Sequence, residues 1–170
     1  KNDATTLLLR LALLYILWFL CRIVFYLQNA GLVGPLEWNE IPGLLRGAGM
    51  FDTASILYVN ALFILLSLLP FRFRETRRYQ RILCWLYTVT NALALIVNSA
   101  DGIYFHYARK RFTSDELSYL HNNDNTGTVV LKGLAENWYI VLWCALLIAA
   151  MVWVYRRIKA MPTRIENRWA

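Results

Sequence analysis

Four long apolar runs dominate this chain and constrain it more than any other feature. They cover Thr5 to Leu27, Asp52 to Leu69, Ile82 to Phe105 and Trp138 to Tyr155. A bilayer core about 30 Å thick is crossed by about 20 mostly apolar residues in a helix. Each run meets or nearly meets that length. The composition agrees, with 58% hydrophobic and 17% charged residues against about 45–50% and about 25% in soluble domains. A water-soluble core and a disordered chain are both excluded. The expected fold class is all-α: a polytopic membrane bundle of four transmembrane helices, with short interfacial helices in the outer loops. Residues 1–155 form the transmembrane domain in this reading. Residues 156–170 form a basic cytoplasmic tail or a linker to a further span. The first run is too long for a signal-peptide core, carries Arg10 and Arg22, and lacks a small-residue cleavage site.

The net charge of +7 raises the question of nucleic acid, but its placement answers no. The basic residues flank apolar runs, which is the pattern that orients membrane proteins. Between runs two and three, Arg72, Arg74, Arg77, Arg78 and Arg81 face only Glu75. In the tail, Arg156, Arg157, Lys159, Arg164 and Arg168 face only Glu166. Between runs one and two the balance reverses, with Arg46 against Glu37, Glu40 and Asp52. A cytoplasmic (inner) membrane location with both termini inside follows. The cations Arg109, Lys110 and Arg111 fall on the outer side and need a partner. An anionic lipid headgroup suits three cations at a membrane surface. A solvated run paired with Asp115 and Glu116 is the other reading.

The outer connections look interfacial. Gln28 to Met50 is rich in Gly and Pro, which break regular helix, yet keeps apolar Leu36, Trp38, Ile41, Leu44 and Leu45. A short helix or re-entrant piece at headgroup level is expected there. Thr113 to Glu116 reads as a capping box, with Phe112 and Leu117 as staple, starting a helix from Ser114 to about His121. An amphipathic piece from Thr128 to Glu136 leads into the fourth run.

Polar residues inside the runs carry the sharpest signal. Thr88, Asn91, Asn98 and Asp101 recur at spacings of 3, 7 and 3 and share one helix face. That face must meet other helices, as interhelical hydrogen bonds or as the wall of a polar cavity. At 1.5 Å per residue, Arg22 lies about 8 Å below the outer end of the first span and Asp101 about 6 Å below the outer end of the third. Asp52 begins the second span on the same side, and Asn60 and Asn98 lie at similar depth. An unpaired charge there would cost about 2.5–3.5 kcal/mol. Pairing of Arg22 with Asp101 or Asp52 is therefore one expectation, and snorkelling of Arg22 to the headgroups is the other. Cys21, Cys84 and Cys144 sit singly in apolar runs and read as packing residues. His106 and His121, 15 residues apart, lack the spacing of a metal site. No phosphate loop, nucleophile elbow or metal spacing is present.

Three stretches carry a family resemblance: "RIVFYLQNAG" from Arg22, "GMFDTASILYVNALFILLSLLP" from Gly49 and "NALALIVNSADGIYFHYARKRFTSDELSYL" from Asn91. In order and content they resemble the amino-terminal membrane region of the lipoteichoic acid synthase-like family. These are phosphoglycerol transferases of the alkaline phosphatase and sulfatase superfamily. In the third stretch Asn98, Asp101, Tyr104, Phe105 and Phe112 stand where the family pattern has an Asn, an acidic or similar residue, Tyr-Phe and a Phe before a short surface helix. The likeness covers the layout of nearly the whole chain, and recognisable residues over about 51–120.

The resemblance implies five spans followed by a large extracytoplasmic domain. That domain would hold a divalent metal and a threonine nucleophile, and would transfer phosphoglycerol from a phosphatidylglycerol-type lipid. The present chain is then expected to be the membrane anchor, with no catalytic or metal residue of its own and with the catalytic domain beyond Ala170. The cofactor expectation is accordingly none in these 170 residues. The expected partners are membrane lipids and that catalytic domain. A phosphoethanolamine transferase membrane domain is the alternative enzyme. A non-enzymatic membrane scaffold or transport subunit is the alternative of another class. Transport would favour related halves and broken helices near the midplane. No repeat is apparent, and the Gly and Pro breakers sit in loops apart from Gly102.

Overall fold

The computed structural model describes residues 3–34, 36–69, 76–110 and 126–158. Six helices account for nearly all of them: α1 (Asp3–Val33), α2 (Ile41–Val59), α3 (Ala61–Leu68), α4 (Arg77–Ala108), α5 (Thr126–Glu136) and α6 (Trp138–Arg157). No strand occurs among the described residues, so the all-helical expectation holds. Helices α1, α4 and α6 are each long and apolar enough to cross a membrane. The pair α2 and α3 meets the same measure only when taken together, bent by 63°.

Side-chain contacts fix the directions. Tyr87 of α4 bonds the Arg10 carbonyl of α1, and Asn29 of α1 bonds the Gly102 carbonyl of α4. These two helices therefore run parallel. Helix α6 runs against them, since Gln28 meets Asn137 at its start and Arg10 meets Ile158 at its end. The end where α1 and α4 finish and α6 begins is called the upper end below. The core between the helices holds Leu14, Ile56, Phe63, Tyr87, Leu147 and Met151, all nearly or fully buried. Phe63, Tyr87 and Tyr155 form an aromatic cluster at its lower part, with ring centroids 4.7–6.4 Å apart. Large apolar side chains also cover the outside of the bundle, among them Ile16, Phe19, Leu62, Leu93, Leu142 and Trp153. Water would not tolerate so extensive an apolar surface, whereas lipid chains do. The three cysteines are free, with Cys144 buried and the other two half-buried.

The helices are longer than the apolar runs. Helix α1 continues to Val33 and stops at Gly34, whose φ of 83° and N–H bond to Ala30 form a left-handed cap. Helix α2 begins at Ile41, with Pro42 in its first turn. There the missing N–H costs nothing. The span from Gln28 to Met50, read as a broken interfacial loop, is therefore helical at both its ends. Gly43, Gly47 and Gly49 lie within α2. Helix α4 likewise starts five residues before the apolar run, capped by Thr76, which accepts from the Tyr79 N–H. The piece read from Thr128 to Glu136 is helical as α5, and Asn137 separates it from α6. The capping-box helix at 113–121 lies outside the described residues.

The second run contains a break that the sequence reading placed in none of the spans. It falls at Asn60 (φ −101°, ψ 9°), with neither Gly nor Pro beside it. The Asn60 amide donates to the Ile56 carbonyl. That local bond offers the backbone an alternative to regular helix.

Candidate functional site

The site is built from the three stretches singled out above. On α1, Arg22 points toward α2, where Asp52 lies one turn before the buried Ile56. Arg22 Nε donates to Asp52 Oδ2 at 3.1 Å and Nη2 donates to Oδ1 at 2.5 Å. This two-pronged geometry suits a planar guanidinium and a carboxylate, and it satisfies both charges at once. Arg22 thus takes the Asp52 arm of the two pairings expected for it, in preference to snorkelling. Its side chain keeps 36% exposure and that of Asp52 keeps 11%.

The pair lines a cavity of about 30 Å³ together with Trp18, Phe25, Asn98 and Asp101. A space of that size admits a water molecule. Asn98 and Asp101 come from one face of α4, three residues apart as a helix face requires. Four of the five polar positions read from the sequence as an intramembrane cluster therefore do meet. The fifth, Asn60, does not. It exchanges two hydrogen bonds with Asn91, at 3.0 and 2.7 Å, and both side chains are fully buried. Asn91, rather than Asn98, is its partner because Asp52 already lies level with Asn98 and Asp101, and Asn60, eight residues further on, stands about 12 Å lower.

A small cavity lined by Cys21, Gln28, Ser99 and Gly102 adjoins this one and shares Phe25 and Asn98 with it. Helices α1 and α4 approach closely here. A Cβ on Gly102 would stand 3.3 Å from Gln28 Oε1 and 3.6 Å from Phe25. Above lies a larger groove of about 580 Å³ between the upper ends of α1, α4 and α6. Its apolar lining is Val24, Leu27, Ile140 and Trp143. Its polar lining is Gln28, His106, Asn137 and Tyr139. Gln28 donates to Asn137 at 3.4 Å, and the Tyr139 hydroxyl donates to the same Asn137 oxygen at 3.3 Å. Asn137 in turn donates to the Gly133 carbonyl at 2.8 Å, which fixes the joint between α5 and α6.

Arg109 and Lys110 are exposed just past the end of α4, and Arg111 lies outside the described residues. Arg109 caps α4 in the left-handed region, with φ 54°. Glycine fills such a position without the steric cost a side chain brings. The cation there also meets the negative end of the α4 dipole. His106, read as no metal ligand, lines the groove instead, and His121 is not among the described residues. Among the described residues no group of three His, Cys, Asp or Glu side chains could hold a metal ion.

One polar cluster escaped the sequence reading. Arg10 is 7% exposed within α1. Its Nη2 donates to the Ile158 carbonyl at the end of α6, 3.2 Å away, and its guanidinium lies 4.0 Å over the Tyr155 ring. A helix C-terminus and an aromatic face both attract a cation. Among the described residues, Arg10 Nε and the Tyr155 hydroxyl are buried without a hydrogen-bond partner. The charge itself was visible in the first run. Its partners, nearly the whole chain away, leave no local trace.

Comparison with known protein families, with characterised proteins and with solved structures finds no match for the chain.

Proposed function

We propose that this chain is the four-span membrane anchor of an extracytoplasmic headgroup transferase of the phosphoglycerol type, or of a sulfatase-like relative. In this reading α2 and α3 together form one bent span, the upper end faces the outer leaflet, and α5 lies at the interface. The anchor holds a catalytic domain close to its lipid substrate, which shortens the search for it. Arg109, Lys110 and Arg111 present cations to an anionic headgroup there. A divalent metal would belong to the catalytic domain.

One observation carries the reading. Each of the three stretches that resemble the lipoteichoic acid synthase-like family contributes to the same cavity: Arg22 from the first, Asp52 from the second, and Asn98 and Asp101 from the third. Polar groups within apolar spans turn toward one another in any bundle; here the charged and amide groups of the cavity all come from the stretches that carry the resemblance. The left-handed Arg109 adds support, since strain of this kind is kept where a side chain is needed. The coding sequence downstream of Ala170 tests the proposal. A fifth span followed by a metal-binding sulfatase-type domain is the expected result, and an in-frame stop would contradict it.

The bend at Asn60 favours a second reading, a transport subunit, because transporters place broken helices near the midplane. Yet Asn60 and Asn91 are fully buried and bonded to each other, and their amides are occupied by one another rather than by a permeant ion. A proteoliposome flux assay separates the two readings: the anchor carries none.

A further inference from the structure

We propose that the upper groove is a seat for one intact glycerophospholipid, held with its phosphate toward Arg109 and its chains against Val24, Ile140 and Trp143. This rests on the membrane-anchor reading and extends it to residues outside the basic cluster. The argument is the order of the lining with depth. Helix α1 rises through Val24 to Gln28, one turn higher. Helix α6 descends from Asn137 to Trp143, about 9 Å lower at 1.5 Å per residue. His106 sits in the last turn of α4. Polar groups therefore ring the mouth, and apolar groups form the floor. That is the profile of an amphiphile standing along the bundle axis. A water-soluble metabolite would waste the floor, and a bare hydrocarbon would set apolar surface against the polar mouth at Gln28, His106 and Asn137.

Size and access agree. A volume of about 580 Å³ lies within the roughly 300–1,000 Å³ of small-ligand sites. It is enough for a headgroup, the glycerol and the first part of the chains, with the rest running down the bundle's outer face. Leu27 and Tyr139 line the groove while 68% and 48% exposed, so the wall between α1 and α6 is open toward the surrounding lipid. Charge sets the headgroup class. Arg109 is exposed three residues beyond His106, and among the described residues that line the groove there is no carboxylate. A phosphate with a net negative headgroup, as in phosphatidylglycerol, fits this better than a zwitterion.

The test uses the 170-residue chain, extracted from vesicles of equal phosphatidylglycerol and phosphatidylcholine, with retained lipid counted by native mass spectrometry. The unaltered chain is expected to keep one phosphatidylglycerol. Leu27→Trp adds bulk to the open wall and is expected to lower retention about tenfold. Val24→Phe narrows the groove from below and should do the same, which covers the case in which either variant folds poorly. Leu65→Trp, on the exposed face of α3, should retain lipid as before. Arg109→Gln with Lys110→Gln should erase the preference for phosphatidylglycerol while a lipid stays bound. Retention unchanged in both groove variants would overturn the groove seat. If retention were then lost in the Arg109 and Lys110 variant, headgroup binding by the basic cluster would survive and the groove seat alone would fall. Equal loss in Leu65→Trp would mark the lipid as an annular one and overturn the proposal as well.

Discussion

Arg22 on α1 and Asp52 on α2 hold each other through two parallel hydrogen bonds, at 3.1 and 2.5 Å, from within the apolar stretch of the bundle. Removing one member leaves the other charge without its partner in a poorly solvated place. For fully buried pairs that costs about 3–5 kcal/mol. With Arg22 one-third exposed, Asp52→Ala should cost about 2–3 kcal/mol. The double variant Arg22→Leu with Asp52→Leu should cost less than either single change, because no orphaned charge remains. Unfolding in mixed micelles with rising dodecyl sulfate measures both.

Asn60 and Asn91 fasten the bent pair α2 and α3 to α4. Interhelical hydrogen bonds in membranes average about 0.6 kcal/mol and reach about 1.7. Two reciprocal bonds in a fully buried site belong at the upper part of that range. A double-mutant cycle with Asn60→Ala and Asn91→Ala is expected to give a coupling of about 1–1.7 kcal/mol. A coupling near zero would show that the bend is held by something else.

Arg10 joins α1 to the last turn of α6 through a carbonyl and an aromatic face. Lysine keeps the charge but neither the flat stacking surface nor the fork of donors. Arg10→Lys should therefore lose about 1 kcal/mol, and Arg10→Met about 2 kcal/mol, from the lost hydrogen bond and cation–π contact. The same micelle unfolding assay checks this. Tyr155→Leu, which removes the ring, should bring the lysine and arginine forms to similar stability.

Gly102 permits the close approach of α1 and α4. The atom nearest a Cβ there is the end of the flexible Gln28 side chain, at 3.3 Å. Gly102→Ala should be nearly neutral, because Gln28 can swing aside. Gly102→Leu must push against Phe25 and should cost about 1–3 kcal/mol. A distance measurement between spin labels on the upper turns of α1 and α4 should widen only for leucine.

The parts of this fold legible in the sequence are those that depend on length and apolarity alone. The long stretches around Leu14, Leu95 and Leu147 declare their helices because about 20 consecutive apolar residues satisfy their backbone within a bilayer by helix formation. The pairing of Arg22 was legible to within two candidates, since a charge at that depth needs an opposite one and only two were near. The bend at Asn60 was hidden. It depends on a side chain bonding its own i−4 carbonyl and on a partner 31 residues away, and no Gly or Pro announces it. Depth arithmetic that began the second span at Asp52 matched Asn60 with Asn98, but α2 begins at Ile41 and Asp52 itself lies level with Asn98, so Asn60 meets Asn91 lower down. The groove was hidden for another reason. Gln28 and Asn137 look like ordinary loop residues until α1 is seen to continue past them to Val33 and α6 to begin beside them.

Sidedness tests the whole account most directly. In a background with Cys21, Cys84 and Cys144 replaced, a single cysteine is placed at Glu37 or at Thr76, and whole cells are treated with a membrane-impermeant maleimide. Glu37→Cys is expected to react in intact cells, and Thr76→Cys only after the membrane is opened. The reverse pattern would put the groove and Arg109 on the cytoplasmic side and contradict an anchor for an extracytoplasmic enzyme.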